Sequence, residues 1–167
     1  MIHFRELTEK DAAIYRVLRL EALKHDPEAF ASQYDLEAAH HLADFEAKLE
    51  KEHALTIGAF EAKKLVGIVT LVKETLPKMR HRATLEAVYV TPDFRGQRLS
   101  QQMIEELERM AKKEGIVKKF YLFVMKTNGR AIRAYEKMGF SVYGEDREAM
   151  WEGDHYVDEY LMVKFID

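Results

Sequence analysis

The chain has 167 residues, 47% hydrophobic and 33% charged, a balance that excludes a disordered or fibrous protein and fits one domain with a sizeable core. Its net charge of -3 argues against a partner held by phosphate neutralisation. The lack of cysteine rules out disulfides, thiolate metal sites and a cysteine nucleophile. No stretch approaches the ~20 apolar residues of a membrane span. The first residues lack the apolar run of a secretory signal. The expectation is a single cytoplasmic domain over residues 1–167, with no nucleic-acid and no membrane partner.

Residues 2–7 read as a first strand. Thr8 and Asp11 resemble a capping box that opens a helix, with Ile14, Val17, Leu18 and Ala22 as its apolar stripe. A second helix is predicted over 36–51, where Ala38, Leu42, Phe45 and Leu49 recur at helical spacing. Two strands, 55–60 and 65–72, join through the short link Glu61-Ala62-Lys63-Lys64 as a hairpin. Residues 83–90 form the next strand. Residues 99–113 give the clearest helix, with Leu99, Met103, Leu107, Met110 and Ala111 on one face and Gly115 as its stop. Residues 119–125 are apolar on both faces, as suits a central strand. A short helix over 130–138 ends at Gly139. Strands 140–143 and 156–165 close the chain around a turn at Glu152-Gly153-Asp154. This order implies an α/β (α+β) domain, a mixed sheet with helices on its faces.

Two segments carry chemistry. In Val88-Tyr89-Val90-Thr91-Pro92-Asp93-Phe94-Arg95-Gly96-Gln97-Arg98-Leu99-Ser100 a strand ends, a proline breaks it, and a glycine turn opens a long helix. Free N–H groups at such a helix start seat a phosphate, and Arg95 and Arg98 add positive charge. The same turn also reads as a plain connection with surface arginines. In the second segment, 128–140, Asn128 precedes a helix, where it caps the helix, contacts an amide-bearing ligand, or does both. Tyr135 reads as a core aromatic or as a site residue.

Together these segments resemble the GNAT superfamily of N-acetyltransferases. The second matches closely: asparagine, Ala131, Tyr135, then Glu136-Lys137-Met138-Gly139-Phe140. The first matches in part. The family pattern is Gln or Arg, two variable residues, Gly, one variable residue, then Gly or Ala. Arg95 fills the first place, but Arg98 stands where glycine is usual and Ser100 where glycine or alanine is usual. Arg98 is expected to sit in a helical conformation, with its side chain folded outward.

The resemblance implies a GNAT-like acyl-CoA N-acyltransferase fold: a mostly antiparallel sheet with helices on both faces and a splayed parallel pair, 83–90 and 119–125. It implies acetyl-CoA as co-substrate, without a metal. The cofactor-binding set is Val88, Tyr89, Val90, Arg95, Gly96, Gln97, Arg98, Leu99, Ser100, Asn128, Arg133 and Tyr135. Tyr135 is the candidate donor to the departing thiolate. Glu86 is the candidate general base, chosen because it shares strand parity with Val88 and Val90, and it also reads as a structural carboxylate. The acceptor is a small-molecule or protein amine. Acids over 26–53 (Asp26, Glu28, Asp35, Glu37, Asp44, Glu46, Glu50, Glu52) read either as a lip favouring a cationic amine or as a solvated helix face. Adjacent His40 and His41 point apart on a helix and suggest no metal site. The oligomer is left as monomer or homodimer. A coenzyme A-binding regulatory module without catalysis is the rival reading, motivated by Arg98 and Ser100. The basic run Lys78-Met79-Arg80-His81-Arg82 is the sole support for a nucleic-acid partner.

Overall fold

The computed structural model describes residues 1–166. Strand β1 (Ile2–Glu6) leads through a single 3-10 turn into helix α1 (Ala12–His25). Helices α2 (Tyr34–Ala38) and α3 (Leu42–Glu50) follow. Strands β2 (Ala54–Glu61), β3 (Lys64–Lys73) and β4 (Arg82–Val90) come next, then helix α4 (Leu99–Glu114) and strand β5 (Lys119–Met125). Helix α5 (Gly129–Lys137) and strands β6 (Ser141–Trp151) and β7 (Tyr156–Phe165) complete the order.

All seven strands join one sheet in the order β1-β2-β3-β4-β5-β7-β6. Every pairing is antiparallel except β4 with β5, which is parallel. The central strands β2 and β3 are apolar on both faces because both faces are covered. On one face, Ile57, Val66, Val69 and Leu85 pack against Met103, Ile104 and Leu107 of α4. On the other, Phe60, Ile68 and Tyr89 meet Tyr15 and Leu18 of α1 and Phe45 of α3. Helix α4 stops at Gly115, whose φ of 79° only glycine adopts without strain and whose N–H bonds the Ala111 carbonyl at 2.9 Å.

The structure departs from the sequence pattern in four places. The helix expected over 36–51 is two helices, because the Asp44 carboxylate reaches back to accept the His41 N–H at 2.9 Å and starts a new cap. The buried stripe of α1 is Ala12, Tyr15, Leu18, Ala22 and Leu23; Ile14 is exposed, and Val17 is 70% exposed. Tyr15 sets this phase by meeting the Phe45 ring edge-on, with centroids 6.3 Å apart. Strand β5 is buried on both faces except at Phe123, which is 51% exposed where it lines the cleft. Strand β6 runs on from the expected 140–143 to Trp151. Its charged run Glu145–Glu148 is tolerated because β6 is the sheet's edge, with one neighbour.

Candidate active site

Strands β4 and β5 pair only at Arg82↔Lys119, Ala83↔Phe120 and Thr84↔Tyr121. Past that point they part. The facing backbone edges of 85–90 and 122–125 then border a cleft of about 1150 Å³. An open strand edge of this kind is a template for an extended ligand with its own amides.

A bulge accompanies the parting. Ile68 pairs with Tyr89 but Thr70 pairs with Glu86, so Val69 faces both Ala87 and Val88. Ala87 takes a φ of 54° to allow it. The extra residue reverses the side-chain alternation along β4. Val88 and Val90 pack on the α4 side with Leu85. Ala87 and Tyr89 pack on the α1 side. Glu86 therefore does not share a face with Val88 and Val90. It is exposed on the α1 side, still lining the cleft, near Tyr15 and Lys48.

The turn before α4 also differs from the expected geometry. Arg98 is not helical: its φ of 60° and ψ of 30° place it in the left-handed region as the N-cap residue. The position thus asks for the glycine that arginine replaces. Arg98 provides no side-chain cap, so the N–H groups of Leu99, Ser100 and Gln101, which line the cleft, keep the free ends typical of a helix start. Gly96, at φ 82°, has no atom within 4 Å of the place a Cβ would occupy, which leaves its backbone open to close approach.

The Arg95 guanidinium is engaged by the protein. Its Nε donates to the Val90 carbonyl at 3.0 Å and its Nη2 to Asp26 Oδ2 at 2.9 Å. It thereby fastens the turn before α4 to the chain leaving α1. The cleft's cations without an ion pair among the described residues are Arg98, Arg130, Arg133 and Lys137. Two of these, Arg130 and Lys137, lie in the matched segment 128–140 but were not in the cofactor-binding set expected from the sequence.

Asn128 caps α5, its Oδ1 accepting the Ala131 N–H at 3.3 Å, while its amide group lines the cleft. Both functions expected of it are geometrically compatible. Tyr89 borders the cleft, but its hydroxyl donates to Glu21 at 2.7 Å. Gln97 does not line the cleft; its carbonyl accepts from Gln102 Nε2 at 3.3 Å.

Tyr135 lines the cleft and is half-buried, with its ring edge-on to Phe140 at 5.9 Å. Burial pushes its phenol up to about 12, with no neighbouring charge offsetting the effect. It is therefore a neutral O–H donor across the working pH range.

The acidic lip is smaller than the sequence suggested. Glu37 is only 1% exposed and accepts two hydrogen bonds from Arg19, one of them from Nη2 at 2.9 Å. Asp26 is held by Arg95. The carboxylates lining the cleft without an ion pair among the described residues are Glu28, Glu86 and Glu159. Glu159 gave no sequence signal, because it arrives through strand pairing with Met125 on one side and Asp146 on the other. Burial, and then the charge of Asp146, raise its pKa above the ordinary glutamate value. The cleft is thus polarised. Cations gather at the start of α4 and along α5, and free carboxylates on the α1 side.

Among the described residues there is no cluster of three or more His, Asp or Glu placed to hold a metal, and no helix is long and apolar enough to cross a membrane.

The sequence model of the acetyltransferase (GNAT) family matches residues 14–140. No curated sequence relative matches the chain. Among solved structures, an acetyltransferase of the GNAT family from Streptococcus pneumoniae shares 24% identity over all of both chains, with a TM-score of 0.87. The yncA protein of Salmonella typhimurium, solved with its cofactor acetyl-CoA, is 19% identical over 100% of this chain and 95% of its own, at TM-score 0.79. NAA60 of Arabidopsis thaliana, solved with a bisubstrate analogue, is 18% identical over 100% of this chain and 99% of its own, also at TM-score 0.79.

Proposed function

This chain belongs to the acetyltransferase (GNAT) family, and we propose that it moves the acetyl group of acetyl-CoA directly onto a primary amine. The observation that carries this reading is the parting of β4 and β5 beyond Thr84↔Tyr121. The open backbone edges there suit the amides of a pantetheine arm, added like a strand. The uncapped start of α4, together with Arg98 and Arg133, suits the pyrophosphate. Open space at Gly96 and the free amide of Asn128 fit the same ligand. The likeness in fold to yncA with acetyl-CoA, and to NAA60 with a bisubstrate analogue, supports the reading.

The chain's own residues then have distinct tasks. A lysine-like amine has a pKa near ~10.4, so freeing its lone pair at pH 7 costs roughly 4–5 kcal/mol. Glu86 on the α1 side takes that proton, directly or through a water, as the nitrogen bonds to the acetyl carbon. Glu159 and Glu28 add negative charge on the same side and favour a cationic acceptor. As the carbon–sulfur bond breaks, Tyr135 donates its hydrogen bond to the sulfur. A free thiol has a pKa near ~8.5, and the Tyr135 phenol lies at about 12. Full transfer of the Tyr135 proton would be uphill by roughly 5 kcal/mol. Tyr135 therefore stabilises the thiolate by donation and keeps its proton.

The test is release of free thiol from acetyl-CoA in the presence of a panel of amines, with calorimetry of acetyl-CoA binding alongside. Amine-dependent release is expected. Binding without release on any acceptor would favour a non-catalytic coenzyme A-binding module, and no binding at millimolar acetyl-CoA would sink both readings.

A further inference from the structure

A second cavity, of about 260 Å³, opens beside the cleft between residues 27–35 and the end of β6. It shares Phe30, Ala31, Ser32, Met125 and Met150 with the cleft, so the two are continuous. The apolar side chains of Leu23, Phe30, Met125, Met150 and Trp151 form one part of its wall, beside the polar Ser32, Gln33, Asp35 and Glu152. Asp35 and Glu152 are its charged residues, and no lysine or arginine lines it. Trp151 is 57% exposed at this wall, and its ring is held by Tyr156 at a centroid distance of 4.8 Å. An exposed tryptophan braced at the edge of a cavity is a ready apolar contact for a ligand.

The chemistry of the two spaces selects an occupant. Glu86 and Glu159, in the adjoining cleft, suit an ammonium group. An apolar cavity of roughly 150 Å³ already accepts a benzene ring, so this one has room for a phenyl or indole. A carboxylate beside the amine would meet four carboxylates, Glu86, Glu159, Asp35 and Glu152, against one nearby lysine, Lys48 beside Glu86.

We propose that this side cavity selects the acceptor, and that the preferred acceptor is a small primary amine bearing one aromatic or branched aliphatic group. The inference rests on the acetyltransferase reading above and adds the substrate class to it. Phe30, Met150 and Trp151 hold the apolar body, and the amine projects past Glu159 toward Glu86.

Thiol release from acetyl-CoA tests this with phenethylamine, isopentylamine, putrescine, ethanolamine, phenylalanine and a peptide with N-terminal phenylalanine. Phenethylamine and isopentylamine are expected to exceed ethanolamine and putrescine in kcat/KM by about tenfold or more, the discrimination an apolar pocket gives. Phenylalanine should be poor. Trp151→Ala should cut the phenethylamine-to-ethanolamine ratio by about tenfold, acting through the KM for phenethylamine. Unchanged acetyl-CoA affinity by calorimetry shows that the variant is folded. Equal or faster turnover of putrescine or ethanolamine, turnover of the peptide alone, or a ratio unmoved by Trp151→Ala would overturn the proposal while leaving acetyl transfer standing. No thiol release with any amine would remove the transfer reading and this inference with it.

Discussion

Replacing Arg98 by glycine should make the protein more stable, although it removes a charged side chain from the cleft. Arg98 sits at φ 60° and ψ 30°, is exposed, and makes no ion pair among the described residues. Holding an L-residue in this region costs about 1–2 kcal/mol, which glycine avoids. Glycine gives back roughly 0.5–1 kcal/mol through the greater freedom of the unfolded chain. The net expectation is a gain of about 0.5–1 kcal/mol, or about 1–4 °C in Tm for a chain of this size. Arg98→Ala is the control, since it removes the same charge but keeps the strained backbone. Urea unfolding of the three proteins reads the stability, and calorimetry of acetyl-CoA reads the affinity. Both variants should lose affinity two- to fivefold through the missing charge, about 0.5–1 kcal/mol. Only Arg98→Gly should gain stability. If it unfolds no later than Arg98→Ala, the assignment of strain to this backbone is wrong.

Three further outcomes are expected. Tyr135→Phe should lower kcat by tenfold or more with little change in acetyl-CoA affinity. Because the phenol is pushed up to about 12 and is a donor only below its pKa, wild-type activity should show no alkaline loss from Tyr135 up to about pH 10. A decline there that disappears in Tyr135→Phe would contradict this. Glu86→Gln should reduce kcat/KM by about 10²-fold at pH 7; an unchanged kcat/KM would exclude Glu86 as the base. Glu37→Gln should destabilise by about 3 kcal/mol, because it leaves the Arg19 guanidinium with a neutral partner in a buried place. Burial alone would raise the Glu37 pKa, but the hydrogen bonds from Arg19 and Ser32 outweigh it and hold the carboxyl below its ordinary value. Its contribution is therefore fully present above about pH 4.3 and lost as pH falls through the lower folded value. Acid unfolding of Glu37→Gln should lack that component.

What the sequence made legible was periodic or motif-borne. Helix α4 and strand β5 follow from their apolar spacing, and the Asn128 and Tyr135 segment follows from its order. Counting by twos along β4 failed at Glu86, because alternation carries no mark of an inserted residue and Ala87 looks like any strand alanine. Arg98 was a subtler case. Its place in the family pattern belongs to glycine, and that substitution was itself the sign of a positive φ. Glu159 was beyond reach, since its neighbours Met125 and Asp146 meet it through pairing of separate strands. The side cavity was equally hidden, because Phe30, Met125 and Trp151 come from three distant parts of the chain.

The bulge at Ala87 links these features. Ala83 and Leu85, before the bulge, lie on the α4 side and set Glu86 on the other face; without the bulge, an even count would put Val88 and Val90 on that face too. With it, Val88 and Val90 turn to the α4 side, while Glu86 stays on the side of Glu159. The bulge at Ala87 stands three residues after the last β4–β5 pair, at Thr84↔Tyr121. A bulge bends its strand and increases its twist, which is the distortion needed for β4 to leave β5. One local irregularity thus both opens the backbone edge that an extended ligand needs and sets the carboxylate on the opposite face from the apolar wall. That separation lets a cofactor arm and a cationic amine approach the same point from different sides. It suits the direct transfer proposed above, in which the amine meets the acetyl carbon from the acidic side and the sulfur departs toward the neutral phenol of Tyr135.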